Sequence, residues 1–283
     1  MKNKNLIKMA VGIIIIFLFF GYLIFNIYFK SYQTEKLLNN LNEEINPKVD
    51  KIESFLGNVE RDILQLSKSS GLNNFVNSVN FEDRKKYKSD IQKEMVNFAK
   101  DREFYHQLRY IDETGQEIVK IDAHHINMIM IVPDDKLQNK GDRYYFANTM
   151  RLGKEEVFIS SLDLNIEEGK IENRGTEKNP EYIPVIRYSS PVFDSDNNFK
   201  GIIILNIHAH HFLDVIQKDR INKGRIFLIN GKGDYLSHLN KEKEFEFMFG
   251  KESSFFEDYP DEIVQSILAN AGQIFKESEN FIA

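Results

Sequence analysis

From Met9 to Phe29 the chain reads MAVGIIIIFLFFGYLIFNIYF, in which Asn26 is the only strongly polar side chain. A run of this length crosses a bilayer as a helix, and few other folds can hold it. Fourteen of its residues are Leu, Ile, Val or Phe, and each favours insertion by about 0.3–0.6 kcal/mol, or about 4–8 kcal/mol together. One asparagine near the end of the span does not offset that. Lys2, Lys4 and Lys8 precede the run, whereas Lys30 and Lys36 follow it beside acidic neighbours, which biases the N-terminus to the cytoplasmic side. A cleaved signal peptide would have a shorter apolar core and a small-x-small site after it, and none follows Phe25. The reading is an uncleaved anchor over 9–29, a cytoplasmic tail over 1–8, and the rest of the chain outside the cell membrane.

The remainder has the composition of a folded protein, with 42% hydrophobic and 28% charged residues across the whole chain. A formal net charge of −6 gives no basic footprint for nucleic acid. The absence of cysteine excludes disulfides, iron–sulfur clusters, thiolate zinc sites and a cysteine nucleophile.

Leu38, Leu41, Ile45, Val49, Ile52, Leu56, Val59, Ile63 and Leu66 recur at alternating steps of three and four, which makes one stripe on a long helix. A stalk over 30–72 is expected, packed on its own domain or against a second copy of the chain, with a kink or a fresh helix start at Pro47. Asp83 to Lys100 reads as a second amphipathic helix. The period then changes to two: strands are expected at Leu108–Asp112 and Glu117–Asp122 around a Glu113-Thr114-Gly115-Gln116 turn, and in IPVIRYSSPVF and IIILNIHAH around DSDNNFKG. A short helix is expected near Arg143–Thr149 and another over His211–Asp219. RIFLIN-GKG-DYLSHL then forms a further hairpin, with Gly231 and Gly233 in its turn, followed by a helical segment around Asp261–Ala271. The fold class is α+β, with a twisted antiparallel sheet.

Five segments in order, RYIDETGQEIVKID, LQNKGDRYYF, VFISSLDLNIEEGKIE, PVIRYSSPVFDSDNNFKGIIILNI and FLINGKGDYLSH, together resemble the double Cache sensor domain. This is the PAS-like extracytoplasmic part of bacterial histidine kinases, chemoreceptors and diguanylate cyclases. The resemblance implies a membrane-distal lobe over 73–214 and a partial membrane-proximal lobe over 215–283, with the output module expected outside this sequence. It also implies a homodimer through the stalk, a small-molecule ligand in the distal lobe, and no enzymatic activity or cofactor. In that family an arginine followed by aromatics reaches a ligand carboxylate, which Arg143, Tyr144 and Tyr145 match. An acidic residue on the last distal strand takes an amine, and Asn206 stands there instead. The implied ligand is therefore a carboxylate or a neutral polar molecule more than an amino acid. An ion pair with Asp142 or Asp163 is the structural role for Arg143. Ser160, Ser161 and Asp163 are expected near the pocket, while Glu167, Glu168 and Glu172 are expected on a solvated face.

Arg187 and Tyr188 lie on opposite faces of their strand, and alternation leaves open which of them faces the pocket. Tyr182 and Tyr110 are candidate walls. Asp163, Asn165 and Glu167 match positions 1, 3 and 5 of a calcium loop, but Glu168 stands where glycine is needed and Arg174 where the bidentate glutamate is needed. His208 and His210 share a strand face by spacing, with no third ligand, and His124 and His125 point opposite ways if extended. No Gly-x-Ser-x-Gly elbow or phosphate-binding glycine loop is present. The alternatives are a dimerising interaction partner without ligand sensing, and an anchored enzyme, for which no catalytic constellation exists.

Overall fold

The computed structural model describes residues 2–100, 102–123, 128–218, 226–251 and 254–269. They fall into two compact units, the first made by residues up to 51 and the second beginning at Ile52. The first unit is helical throughout, within α1 (Lys2–Ser67). Among the described residues this helix alone is long and apolar enough to cross a membrane. Phe17, Leu18 and Tyr28 are 74%, 68% and 76% exposed, a surface that water would oppose and a bilayer accepts. No fresh helix start occurs at Pro47, for the proline lies inside α1. Its ring forfeits the hydrogen bond that its own N–H would make to the Glu43 carbonyl, and the helix continues on both sides.

In the second unit α1 is followed by α2 (Ser70–Asn77) and α3 (Phe81–Ala99). Ser69 caps α2 by accepting from the Leu72 N–H, and Asn80 caps α3 by accepting from the Glu82 N–H. Glu82 and Asp83 in the first turn of α3 complement its dipole. The Glu94 carboxylate accepts from the Ser70 hydroxyl and the Gly71 N–H, and so ties α3 to the start of α2.

The sheet runs in the order β3-β2-β1-β9-β8-β4, with β5 also paired to β8, and every pairing is antiparallel. Its strands are β1 (Tyr105–Asp112), β2 (Glu117–Ala123), β3 (Ile129–Ile131), β4 (Phe158–Ile159), β5 (Asp163–Leu164), β8 (Pro184–Phe193) and β9 (Phe199–His208). Between β3 and β4 lies α4 (Tyr144–Thr149), and between β5 and β8 a small hairpin, β6 (Ile166–Glu167) with β7 (Lys170–Ile171). Gly201 sits at φ +123° where β9 meets β1, and a Cβ there would stand 2.0 Å from the Ile111 carbonyl oxygen. Only glycine allows that approach.

Alternation along the strands sends two chemistries to two faces. Leu108, Tyr110, Val119, Ile121, Ile186, Tyr188, Ile203, Leu205 and Ile207 join one core with Val59, Ile63 and Leu66 of α1, Leu72 and Phe75 of α2, and Ile91 and Met95 of α3. The other face carries Gln107, Arg109, Lys120, Arg187 and Asn206, matched across the strands by the pairings Gln107–Asn206, Arg109–Lys120 and Arg187–Asn206. Ile111, Ile202 and Ile204 make its apolar end and pack on Tyr145 and Phe146 of α4.

After β9 come α5 (His210–Gln217) and a hairpin of β10 (Leu228–Ile229) with β11 (Tyr235–Ser237). Asn230 closes the hairpin turn by accepting from the Lys232 and Asp234 N–H groups. Tyr235 then packs with Phe255 of α6 (Phe255–Asp258) and with Ile263 and Val264 of α7 (Asp261–Ala269). The strand that sequence extended to His210 ends at His208, and His210 opens α5, so the two do not share a strand face. His124 and His125 lie outside the described residues.

Ile63 is wholly buried between the helices and the sheet. Chemical denaturation of the detergent-solubilised chain should show Ile63→Ala costing about 2–5 kcal/mol. Lys93→Ala, at an exposed surface pair, should stay within about 0.5 kcal/mol.

Candidate ligand-binding site

The polar half of the sheet face is built on two buried arginines. Arg109, on β1, is 3% exposed, and its Nη2 donates to Asn206 Oδ1 at 2.8 Å. Its Nη1 lies 3.4 Å from Glu117 Oε1 and 3.5 Å from the Tyr145 hydroxyl. Arg187, on β8, is also 3% exposed, and its Nη1 meets Asp163 Oδ1 at 2.5 Å while its Nη2 reaches Asn165 Oδ1 at 3.4 Å. The Tyr145 ring stands close to both guanidiniums, with its centroid 5.7 Å from Arg109 Cζ and 5.8 Å from Arg187 Cζ. A cation over an aromatic face gains electrostatically where water is excluded. The Tyr144 hydroxyl donates to Asp163 Oδ2 at 3.3 Å and accepts from Arg187 at 3.5 Å.

Asn206, fully buried, links the two halves: its amide donates to Gln107 Oε1 and to Asn165 Oδ1. Lys120 donates to Glu167 Oε1 at 3.0 Å, and Gln107 donates to the same oxygen at 2.6 Å. Asn165 donates in turn to Glu172 Oε2 at 2.8 Å. One buried donor among these, Nε of Arg109, has no acceptor among the described residues.

Glu167 and Glu172 are therefore not on a solvated face. Burial alone would raise the Glu167 carboxyl, but Lys120, the Gln107 hydrogen bond and Arg109 outweigh it and hold it at about 2. Burial likewise opposes ionisation of Glu172, which His106, Asn165 and Arg174 hold well below the usual carboxylate range. Sequence alone hid this because the β6–β7 turn folds these side chains back over the sheet. Glu168 at φ +49° and Gly169 at φ +77° make that two-residue turn. Beside it, His106 and His208 stack edge-to-face with ring centroids 4.7 Å apart. Burial depresses His106 against the pull of Glu172. Burial, then the positive charge of His106 and Arg174, depresses His208 to about 3.

The structure brings Tyr144, Tyr145, Asp163, Arg187 and Asn206 together, and it does not bring in four of the other expected residues, Arg143, Ser161, Tyr182 and Tyr110. Arg187 lies on the polar face, whereas Tyr188 packs into the helix-side core. Arg143 occupies the N-cap position of α4, half-buried, and its guanidinium forms no hydrogen bond or ion pair among the described residues. The expected pair of Arg143 with Asp163 is absent because Arg187 holds that carboxylate. Ser161 is exposed, while its neighbour Ser160 is buried and accepts from the Arg187 backbone N–H. Tyr182 packs against the Phe249 ring at 4.8 Å. Tyr110 belongs to the helix-side core, with its hydroxyl donating to the Lys200 carbonyl. Sequence reasoning missed Gln107, Arg109, Glu117, Lys120 and Asn165. The available signal was HQLRYID, where a polar residue and an arginine stand two apart inside an otherwise apolar strand.

A long helix carrying an antiparallel sheet is consistent with a PAS-like sensor domain. The comparisons agree. Residues 58–272 match the family model described as bacterial histidine kinase, sensor domain, and the chain belongs to that family. No curated protein sequence matches it. Among solved structures it is similar to the extracellular domain of a protein assigned as the histidine kinase vpHK1S-Z8, with 17% identity, TM-score 0.65, and coverage of 87% of this chain and 86% of that one. A domain of a sensory box/GGDEF family protein from Vibrio parahaemolyticus is similar at 18% identity and TM-score 0.61, covering 87% of this chain and 85% of that one. The sensory domain of the Campylobacter jejuni chemoreceptor Tlp3, with isoleucine bound, is similar at 13% identity and TM-score 0.57, covering 82% of this chain and 80% of that one. At these identities the likeness is one of fold.

Glu117 is fully buried beside Arg109, so Glu117→Gln leaves a guanidinium uncompensated and should cost about 3–5 kcal/mol by chemical denaturation. Acid should weaken the fold in two stages. Both histidines titrate lower in the folded chain than in the unfolded one, so stability falls as pH drops below about 6.5, where the unfolded chain starts to bind their protons. The Glu167 contribution is present above its unfolded value of about 4.5 and is lost as pH falls towards about 2. Melting temperature against pH should show both stages, and His208→Gln should flatten the first.

Proposed function

We propose that this chain is a membrane-anchored extracytoplasmic sensor which binds a small polar ligand, a carboxylate by preference, on the polar face of its sheet. The observation that carries this reading is the pair of buried guanidiniums, Arg109 of β1 and Arg187 of β8, on one face of the sheet with Tyr144 and Tyr145 beside them. Such a fork matches a carboxylate with two parallel, charge-assisted bonds. Asn206 can hydrogen-bond an amine without neutralising it, which favours carboxylates and neutral polar molecules over amino acids.

The N-terminus lies in the cytoplasm, the α1 span crosses the bacterial inner membrane once, and the sensor domain stands outside it. The chain pairs with a second copy along the Leu38–Leu66 stripe. Ligand binding biases the packing of α1 only as far as its affinity differs between the two arrangements. The sensor passes its signal to an output module and itself catalyses nothing.

In a thermal-shift screen of the detergent-solubilised chain against small carboxylates, amino acids and neutral polar metabolites, a carboxylate should raise the melting temperature by about 2–4 °C. Arg187→Met should reduce that shift. A well-folded chain unmoved by the whole panel would contradict the reading.

A further inference from the structure

Two cations of the polar face, Arg187 and Lys120, are already held by carboxylates from one short stretch of the chain. Asp163 sits on Arg187, and Glu167 sits on Lys120 and Gln107. These two acids are the more exposed partners, with side chains 21% and 24% exposed, against 3% for Arg187 and 7% for Lys120. Both belong to the segment of β5, β6 and β7, which joins the sheet through the register Asp163–Val185 and Leu164–Pro184 and the Asn165 N–H bond to the Ile183 carbonyl. Its hairpin part is paired within itself, at Ile166–Ile171 and Glu167–Lys170. Besides the Glu167 contacts, Asn165 and Glu172 tether it, through Arg187, Asn206 and His106. The side chains beneath are anchored in long central strands, while those above sit on a hairpin with a two-residue turn at Glu168-Gly169.

We propose that Asp163 and the β6–β7 hairpin form a built-in competitor, a tethered pair of carboxylates that occupies the anion site until a free carboxylate displaces it. This rests on the proposed ligand site and adds its regulation. A tethered carboxylate acts at a high effective concentration, so the apparent affinity for a free one is lowered by the fraction of time the hairpin stays seated. The arrangement sets a threshold: the site answers only to anions that bind Arg187 and Lys120 better than the chain's own acids do. Displacement also has an outlet, because Leu164, next to Asp163, donates its backbone N–H to Met248 Sδ at 3.0 Å.

The test uses the full chain in detergent and acetate as a free carboxylate, with chloride at matched ionic strength as control. Asp163→Ala opens the place beside Arg187. Acetate should raise the melting temperature of that variant by about 2–4 °C over chloride and leave the unaltered chain unmoved. Hydrogen exchange supplies the second reading: in Asp163→Asn/Glu167→Gln the amides of 164–172 should exchange about tenfold faster while β1, β8 and β9 remain protected. Equal response of both chains to acetate, no response in Asp163→Ala, or an unchanged hairpin in the double variant would each overturn the proposal. A failed metabolite screen alongside acetate rescue would remove the sensing reading and leave the competitor standing. A successful screen with no rescue would do the reverse.

Discussion

Two guanidiniums buried on one face of the sheet set the terms for everything around them. Moving an unpaired cation out of water is so unfavourable that Arg109 and Arg187 can stay inside only with acceptors on hand. Glu117, Asn206, Tyr145, Asp163 and Asn165 meet that demand. Their positions explain why a two-residue strand and a small hairpin, too short to be stable alone, fold back across the sheet. The acidic stretch after Ser161 is a counter-charge before it is anything else.

The other face makes this possible. Val59, Ile63 and Leu66 of α1 and Ile91 and Met95 of α3 cover the alternate side chains of β1, β8 and β9, and that dry contact fixes the strand register. A slip of one residue would turn Arg109 and Arg187 into the hydrocarbon and Leu108 and Tyr188 out of it. Gly201, with the Ile111 carbonyl where a Cβ would stand, lets β9 lie flush against β1. Helix packing thus places the charges, and the charges place the hairpin. The two histidines on its flank make this region the one that acid loosens first.

Much of the fold was legible in sequence because it follows local periods. The Leu38–Leu66 stripe, the strands around DETGQ and SDNNF and the turn at Asn230 all read directly. At Pro47 the fresh helix start does not occur, since a proline forfeits one hydrogen bond and a long helix runs through it. The site was legible only in part. Tyr144, Tyr145, Asp163, Arg187 and Asn206 stood out by type and setting. Period two could not say whether Arg187 or Tyr188 turned inward, because both faces of a central strand are buried. Arg109 and Lys120 were passed over for the same reason, and Glu167 and Glu172 because their partners lie 47 and 66 residues away in sequence. A long-range ion pair leaves no periodic trace.

The central claim is that Arg109 and Arg187 are sealed inside the lobe on its polar face, and arginine Nε–H exchange by NMR on the isotopically labelled chain tests it most directly. The account predicts that these two side chains keep slowly exchanging Nε–H signals well above neutral pH, while exposed Arg151 exchanges as fast as free arginine. Signals for Arg109 and Arg187 that exchange with water as readily as Arg151 would contradict it.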